Sequence, residues 1–530
     1  MKPKGQLAYH HSLLDAELQP LALCATDDGS EPLPLIVELS PGSIANLPGS
    51  VRRCEQLAGW AAAGGERCLV IKPGQRGSGS VGQGPAEVDV LEAIEWASQH
   101  FPVDPDRVSL MGGSMGGAAT WYLASHYPDR FAAAAPFCGY ADYQLWEKPG
   151  GHIMRTQDWE RFSWESRGAA YRVENLTNMA LWITHGQWDI SIGGGVPVEH
   201  SRRISDRLTK LGVEHRFSEV PSCGHGCMTE QTGPPVVQWL CQQRRKSCPE
   251  EVRLVVHTLR HHRSFWVQVD QLEAYGQPGR VEARRQGPQV TVLTDNVCAL
   301  SLGPIAAANS VTVTLDSTSF EKTDLSACAQ SFAKTDGGWS AAAGRERVGK
   351  RHGASGPIGD LFFAPQRFVF GTGGSDHENF ILDWLKSHLP DFWQKSNGGV
   401  HRGVFAGESW YELPVVTDTE LSDDELRDSN LVLYGSPESN AIFRRFRDHV
   451  PVEVRGRGLK VAGRSFTGEH VGGMAVFPHP ENPHRYLAVV TGNSPEALAG
   501  ASHLNLQLLP DYLVWQGARA WWGFFGNDWR

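Results

Sequence analysis

Ser114 sits in the run Met111-Gly112-Gly113-Ser114-Met115-Gly116-Gly117. A serine hydroxyl is a poor nucleophile until a neighbouring imidazole takes its proton. The imidazolium then needs a carboxylate to fix its tautomer and balance its charge. Two later segments offer those partners: THGQWD at 184–189 presents Asp189, and PSCGHGC at 221–227 presents His225 between two glycines. Each alone reads as ordinary loop material. In the order serine, acid, histidine, each just past an apolar strand-like run, they predict acyl transfer to a serine. Ser114 is expected to attack a carbonyl, with His225 as base and Asp189 orienting the imidazole.

Such chemistry needs N–H groups for the developing oxyanion. Met115 opens a helix-like stretch directly after the serine, so its amide is the first expected donor. The apolar run LPLIVEL (33–39) leads into Ser40-Pro41-Gly42-Ser43. Pro41 has no N–H to give, which leaves Gly42 or Ser43 as the second donor.

The elements that must hold these residues follow from periodicity. From residue 1 to 247, short apolar runs alternate with helical patterns: LPLIVEL, RCLVIKP (67–73), AEVDVLEAIEWASQHF (86–101), VSLMGG (108–113), FAAAAPFCG (131–139), MALWITHG (179–186), SRRISDRLTKLG (201–212) and RFSEV (216–220). This alternation predicts an α/β domain with a mostly parallel sheet covered by helices on both faces. Residues 248–335 change to period-two alternation without helices, as in VRLVVHTLR and SVTVTLD, and predict a small β-sandwich. The segment 336–530 is expected to begin with a Gly-rich, basic linker (335–357) and to end in a second, smaller α/β domain.

Other segments carry weaker signals. An aromatic insertion at 140–167 offers Trp146, Trp159 and Trp164 as pocket or lid candidates, or as packing onto the main body. Gly371–Ser375 lies between strand and helix, yet fits no phosphate-binding fingerprint and reads as a tight turn with Ser375 or Asp376 as N-cap. ARAWWGFFGNDWR (518–530) reads as a tail packed into a groove. No metal site is expected. Cys223, His225 and Cys227 lack the distant second pair that zinc usually needs, and strand geometry would send His261 and His262 to opposite faces, with His257 nearby. A local Cys223–Cys227 disulfide stays open.

The 530 residues carry 41% hydrophobic and 20% charged side chains and a net charge of −10. That balance argues against a nucleic-acid partner held by phosphate neutralisation. The N-terminus lacks an apolar signal core, and no stretch approaches ~18 apolar residues. No membrane span is expected, and the chain as given reads as cytoplasmic, or secreted if a signal has been removed. Oligomeric state is not written in the sequence, and no cofactor is implied.

Residues 1–240 resemble an α/β-hydrolase of the esterase and prolyl-oligopeptidase-like group. VDPDRVSLMGGSMGGAATWYLASHYPDRFAAAAPFCG resembles the segment from the aspartate-arginine turn through the nucleophile and its helix. HGQWDISIGGGVPVEHSRRISDRL resembles the acid-bearing loop, GHG (224–226) the histidine loop, and KPGQRGSGSVGQG (72–84) an Arg-Gly-Ser-rich loop of that group. Later segments more weakly resemble multidomain bacterial serine hydrolases. The resemblance implies a Ser114–Asp189–His225 triad. The chain departs from it at Leu39–Ser43, where the group usually has His-Gly for the oxyanion hole. The large β-propeller that filters peptides in the group's peptidases does not precede this domain, so a carboxylic ester is the expected substrate, with acyl or feruloyl groups on polysaccharide as one form. The alternative is a peptidase or aminoacyl amidase, and a third reading is a non-catalytic binding protein on a hydrolase scaffold.

Overall fold

A computed structural model describes residues 3–27, 31–40, 46–76, 82–143, 157–190, 195–306, 308–342, 349–395 and 411–530. Eight strands form the first sheet: β1 (Gln6–His11), β2 (Leu18–Ala25), β3 (Leu33–Glu38), β4 (Leu69–Pro73), β5 (Val103–Gly113), β6 (Ala133–Phe137), β7 (Ala180–Gly186) and β8 (Arg216–Val220). Their order is β1-β2-β4-β3-β5-β6-β7-β8. Strands β3 to β8 pair in parallel, while β1 and β2 add an antiparallel edge. The interior strands are continuous apolar runs because helices cover both faces. Leu33, Leu35, Ile36 and Val37 of β3 are all fully buried.

Six helices clothe this sheet: α1 (Leu47–Ala63), α2 (Pro85–His100), α3 (Met115–His126), α4 (Arg161–Arg167), α5 (Glu199–Lys210) and α6 (Gly233–Gln242). Cys54, Leu57 and Ala61 of α1 join Val237 and Leu240 of α6 in a core on one face. Val90 and Ile94 of α2, Leu123 of α3 and Leu208 of α5 pack on the other. Strand ends therefore open along one rim, where βα-loops carry side chains free of ladder duty.

Two further sheet systems follow. Ten strands between Glu251 and Ala341 form two five-stranded sheets around a common core, with Leu254, Val256, Val281 and Val292 among the inward-facing positions. The last strand of this system, Gly338–Ala341, lies inside the stretch expected to be linker. Residues 349–357 are not linker either: Lys350 is fully buried and pairs with Asp511. A seven-stranded sheet with flanking helices occupies 366–523, and a small three-stranded sheet lies beside it. The aromatic tail divides its roles: Phe525 and Trp529 enter that core, while Trp522 is exposed. Among the described residues, no helix is long and apolar enough to cross a membrane.

Candidate active site

The connection from β5 to α3 is tight. Ser114 takes φ +58°, a left-handed conformation that a non-glycine residue adopts only under local compulsion. Its N–H donates to Phe137 O at 2.8 Å, and its carbonyl accepts from Ala118 N at 3.0 Å. A Cβ on Gly112 would lie 2.6 Å from the Gly116 backbone, and one on Gly116 would lie 2.6 Å from Ser40. Glycine at these two positions is thus a packing requirement of the turn. Met115 is the first residue of α3, so its N–H has no partner within the helix and sits at the positive end of the helix dipole.

Ser114 Oγ lies 2.7 Å from Nε2 of His225, and Nδ1 of His225 lies 2.8 Å from Oδ2 of Asp189. Ser114 and His225 are half-buried, whereas Asp189 is 2% exposed. Asp189 Oδ1 accepts from Val196 N at 2.9 Å, and its Oδ2 also faces Nε2 of His185 at 3.2 Å. His185 is locked in turn by Ser201 Oγ at 2.7 Å and Val196 O at 2.8 Å. Burial pushes the Asp189 carboxyl up, but hydrogen bonds and positive charge from His185 and His225 outweigh it and hold the group at about 2. An ionised carboxylate facing Nδ1 favours the tautomer that leaves Nε2 able to accept the serine proton.

The strand end opposite Ser114 is braced from below. Glu38 is fully buried and pairs with Lys72 at 3.1 Å and Arg53 at 3.5 Å. Burial raises its carboxyl, yet these two cations and a bond from Ser40 hold it below the usual carboxylate range. Gln75 donates to Leu39 O at 2.8 Å, and Ser40 Oγ accepts from Gly113 N at 3.2 Å. The loop that carries Gly42 and Ser43 begins from this fixed platform, but both residues lie outside the described residues.

The aromatic candidates separate. Trp164 on α4 is 2% exposed and packs with Tyr140, Tyr143, Val196 and Leu508 in a cluster that touches Met115 and Ala118. Trp159 instead faces Trp522, with ring centres 6.2 Å apart, and joins the core of the third sheet system. Trp146 lies outside the described residues. The histidines at 257, 261 and 262 follow neither strand nor metal geometry. His261 ends a short 3₁₀ turn, Leu259–His261, and its Nε2 sits 2.9 Å from the buried Glu87 on α2. His257 lies 3.0 Å from the buried Arg172. Cysteines 223 and 227 are not bonded to each other, and Cys227 faces Cys138 instead.

Residues 74–240 match the sequence model of the prolyl oligopeptidase family. The first region is similar to that family in sequence and has the mostly parallel, helix-covered sheet of an α/β-hydrolase fold. An acylamino-acid-releasing enzyme of Arabidopsis thaliana is 39% identical over 185 residues, covering 32% of this chain and 22% of that protein. An uncharacterized secreted protein of Arthroderma benhamiae is 32% identical over 136 residues, covering 24% of this chain and 14% of the relative. This chain thus aligns with under a quarter of the length of those relatives. A putative dipeptidyl aminopeptidase IV from Bacteroides ovatus shares 15% identity at a TM-score of 0.39, over 46% of this chain and 36% of that one.

Chain order pointed to the three side chains that meet here, Ser114, His225 and Asp189. It did not point to His185, Cys138, Tyr140, Tyr143 or Leu508. Tyr140 and Tyr143 had a usable signal, since both follow the end of β6 on the rim where βα-loops gather. Leu508 had none, because it reaches Met115 from the third sheet system.

Proposed function

We propose that this chain hydrolyses carboxylic esters through an acyl-enzyme on Ser114. The observation that carries this reading is the hydrogen-bonded series Ser114–His225–Asp189, whose members follow the ends of β5, β8 and β7. In the first step His225 Nε2 takes the Ser114 proton as Oγ bonds to the carbonyl carbon. The resulting oxyanion is held by the Met115 N–H, with Gly42 or Ser43 as the second donor. His225 then protonates the leaving oxygen, and water repeats the sequence to release the acid.

Tyr140, Tyr143, Trp164, Val196 and Leu508 form a buried, partly aromatic wall packed against Met115. Such a wall suits a compact hydrophobic or aryl acyl group, including a feruloyl group on polysaccharide. Trp188 and Ile190, which flank Asp189, are 63% and 54% exposed and give the outer rim an apolar surface. A second reading is hydrolysis of acylaminoacyl or aminoacyl amides, favoured by the match to the prolyl oligopeptidase family and by the plant relative's printed name.

The deciding experiment compares kcat/KM for p-nitrophenyl acetate, a long-chain ester, methyl ferulate, acetyl-alanine p-nitroanilide and alanine p-nitroanilide, with Ser114→Ala as control. The ester reading expects the esters to lead after correction for their intrinsic reactivity. Faster cleavage of an anilide than of its matched ester would replace it with the amide reading. Turnover that survives in Ser114→Ala would remove both.

A further inference from the structure

In the sequence, Cys223-Gly224-His225-Gly226-Cys227 lacks a remote second set of metal ligands. Folding supplies one. Cys138, one residue past β6, brings its Sγ to 2.8 Å from Cys227 Sγ. Ligand atoms of Cys138, Asp189 and His225 all lie within 4.8 Å of one another. Both thiols are 1% exposed and Asp189 2%, while half-buried His225 opens toward the site's mouth.

One sulfur, one imidazole nitrogen and one carboxylate oxygen, with the Cys227 sulfur beside the first, form a three-donor set suited to a borderline-soft divalent cation whose fourth position is left to water. Calcium and magnesium, which prefer oxygen shells, are disfavoured by it. The outer support that metal ligands require is also present. Val196 N and His185 fix the carboxylate, and Cys138 N donates to Thr184 O at 2.9 Å.

We propose that Cys138, Asp189 and His225, with Cys227 beside Cys138, form an inhibitory site for Zn²⁺ or a similarly thiophilic divalent cation. Its inhibitory effect rests on the reading of His225 as the base for Ser114. An S–metal bond to Cys138 forms as its thiol proton leaves to solvent. On the imidazole the cation takes Nδ1, the nitrogen facing Asp189, and the ring proton passes to Nε2. That nitrogen lies 2.7 Å from Ser114 Oγ. Carrying a proton, it donates to the hydroxyl and cannot accept from it, so the nucleophile is left unactivated without being touched.

The test uses the full chain under a non-thiol reductant, which keeps the two sulfurs from joining as a disulfide. Cd²⁺ and Co²⁺ titrations follow the near-ultraviolet thiolate-to-metal band, and initial rates on p-nitrophenyl acetate are measured against buffered free Zn²⁺. The wild type and Ser114→Ala are expected to show the same band. Cys138→Ala should keep the basal turnover, lose the band and need on the order of 100-fold more Zn²⁺ for half-inhibition. Cys138→Ser should behave alike, which guards against a packing defect. Cys223→Ala should leave band and inhibition intact. A wild type without a thiolate band, or a Cys138→Ala variant inhibited like the wild type, overturns the site. A band without any turnover keeps the site and removes the hydrolase reading, whereas turnover without a band does the reverse.

Discussion

Two strand-to-helix connections in this molecule share one local grammar and differ in what they leave available. Gly112–Gly116 joins β5 to α3. Gly371–Ser375 joins the strand Gln366–Phe370 to α7 (Asp376–Lys395). In the second, several of the turn's polar groups are met locally. Gly373 N donates to Ser439 O at 2.8 Å, Gly374 N to Asn379 Oδ1 at 3.1 Å, and Thr372 Oγ1 to Asp418 at 2.9 Å. Ser375 Oγ accepts from Glu378 N at 3.3 Å, as an N-cap does. Amides that could cradle an anion are already spent. In the first connection, the serine is held left-handed, its hydroxyl faces an imidazole, and Met115 N has no partner within its helix. A glycine-rich turn becomes a reaction centre when its polar groups are held yet unsatisfied by the turn itself.

The comparison can be broken or sharpened by experiment, beginning where the effect is largest. Ser114→Ala is expected to lower kcat on the order of 10⁶-fold and to abolish labelling by a fluorophosphonate probe. Asp189→Asn should cost on the order of 10⁴-fold in kcat with the fold retained, because the amide stabilises the wrong imidazole tautomer. A pre-steady-state measurement showing wild-type acylation in this variant would contradict that role.

Gly116→Ala forces a Cβ to 2.6 Å from Ser40 and should destabilise by about 1–3 kcal/mol, with turnover falling as the helix end moves. Denaturant unfolding with parallel rates separates the two effects.

Acid should loosen the fold. Burial depresses His200 to about 3 and His262 to about 4, so the unfolded chain binds more protons below about pH 6.5 and stability falls as pH drops from there. Asp189, held at about 2, adds a stabilising increment present above about pH 4 and lost as pH falls toward its folded value. Thermal midpoints between pH 7.5 and 3.5 should decline throughout, and a rise below pH 6.5 would refute the assignment. The smallest effect is expected at the second turn. Ser375→Ala should cost about 1 kcal/mol of stability and leave turnover unchanged.

The parallel sheet was legible because its strands are short, wholly apolar runs, and β3 needs no partner's help to be recognised. The antiparallel edge was not, since β1 leaves Leu7 and Tyr9 exposed and buries His10, so no apolar run marks it. Chain order exposed Ser114, Asp189 and His225, as each stands at a strand's end. Long-range pairing hid the rest. Lys350 looks like linker until Asp511 folds onto it, and His261 looks like a strand histidine until Glu87 meets it from α2. Trp159 and Trp164 are five residues apart in sequence yet serve different cores, a separation that no local pattern encodes.

Leu508 closes the wall beside Met115, and Arg167 at the end of α4 donates to the neighbouring Gln507 carbonyl at 2.7 Å. Synthesis therefore delivers the reacting groups long before it delivers the surface beside them. A growing chain that has folded its first sheet would already hold Ser114, Asp189 and His225, but with one side of the site bare. The groups that would react are thus encoded early, and the surface beside them late.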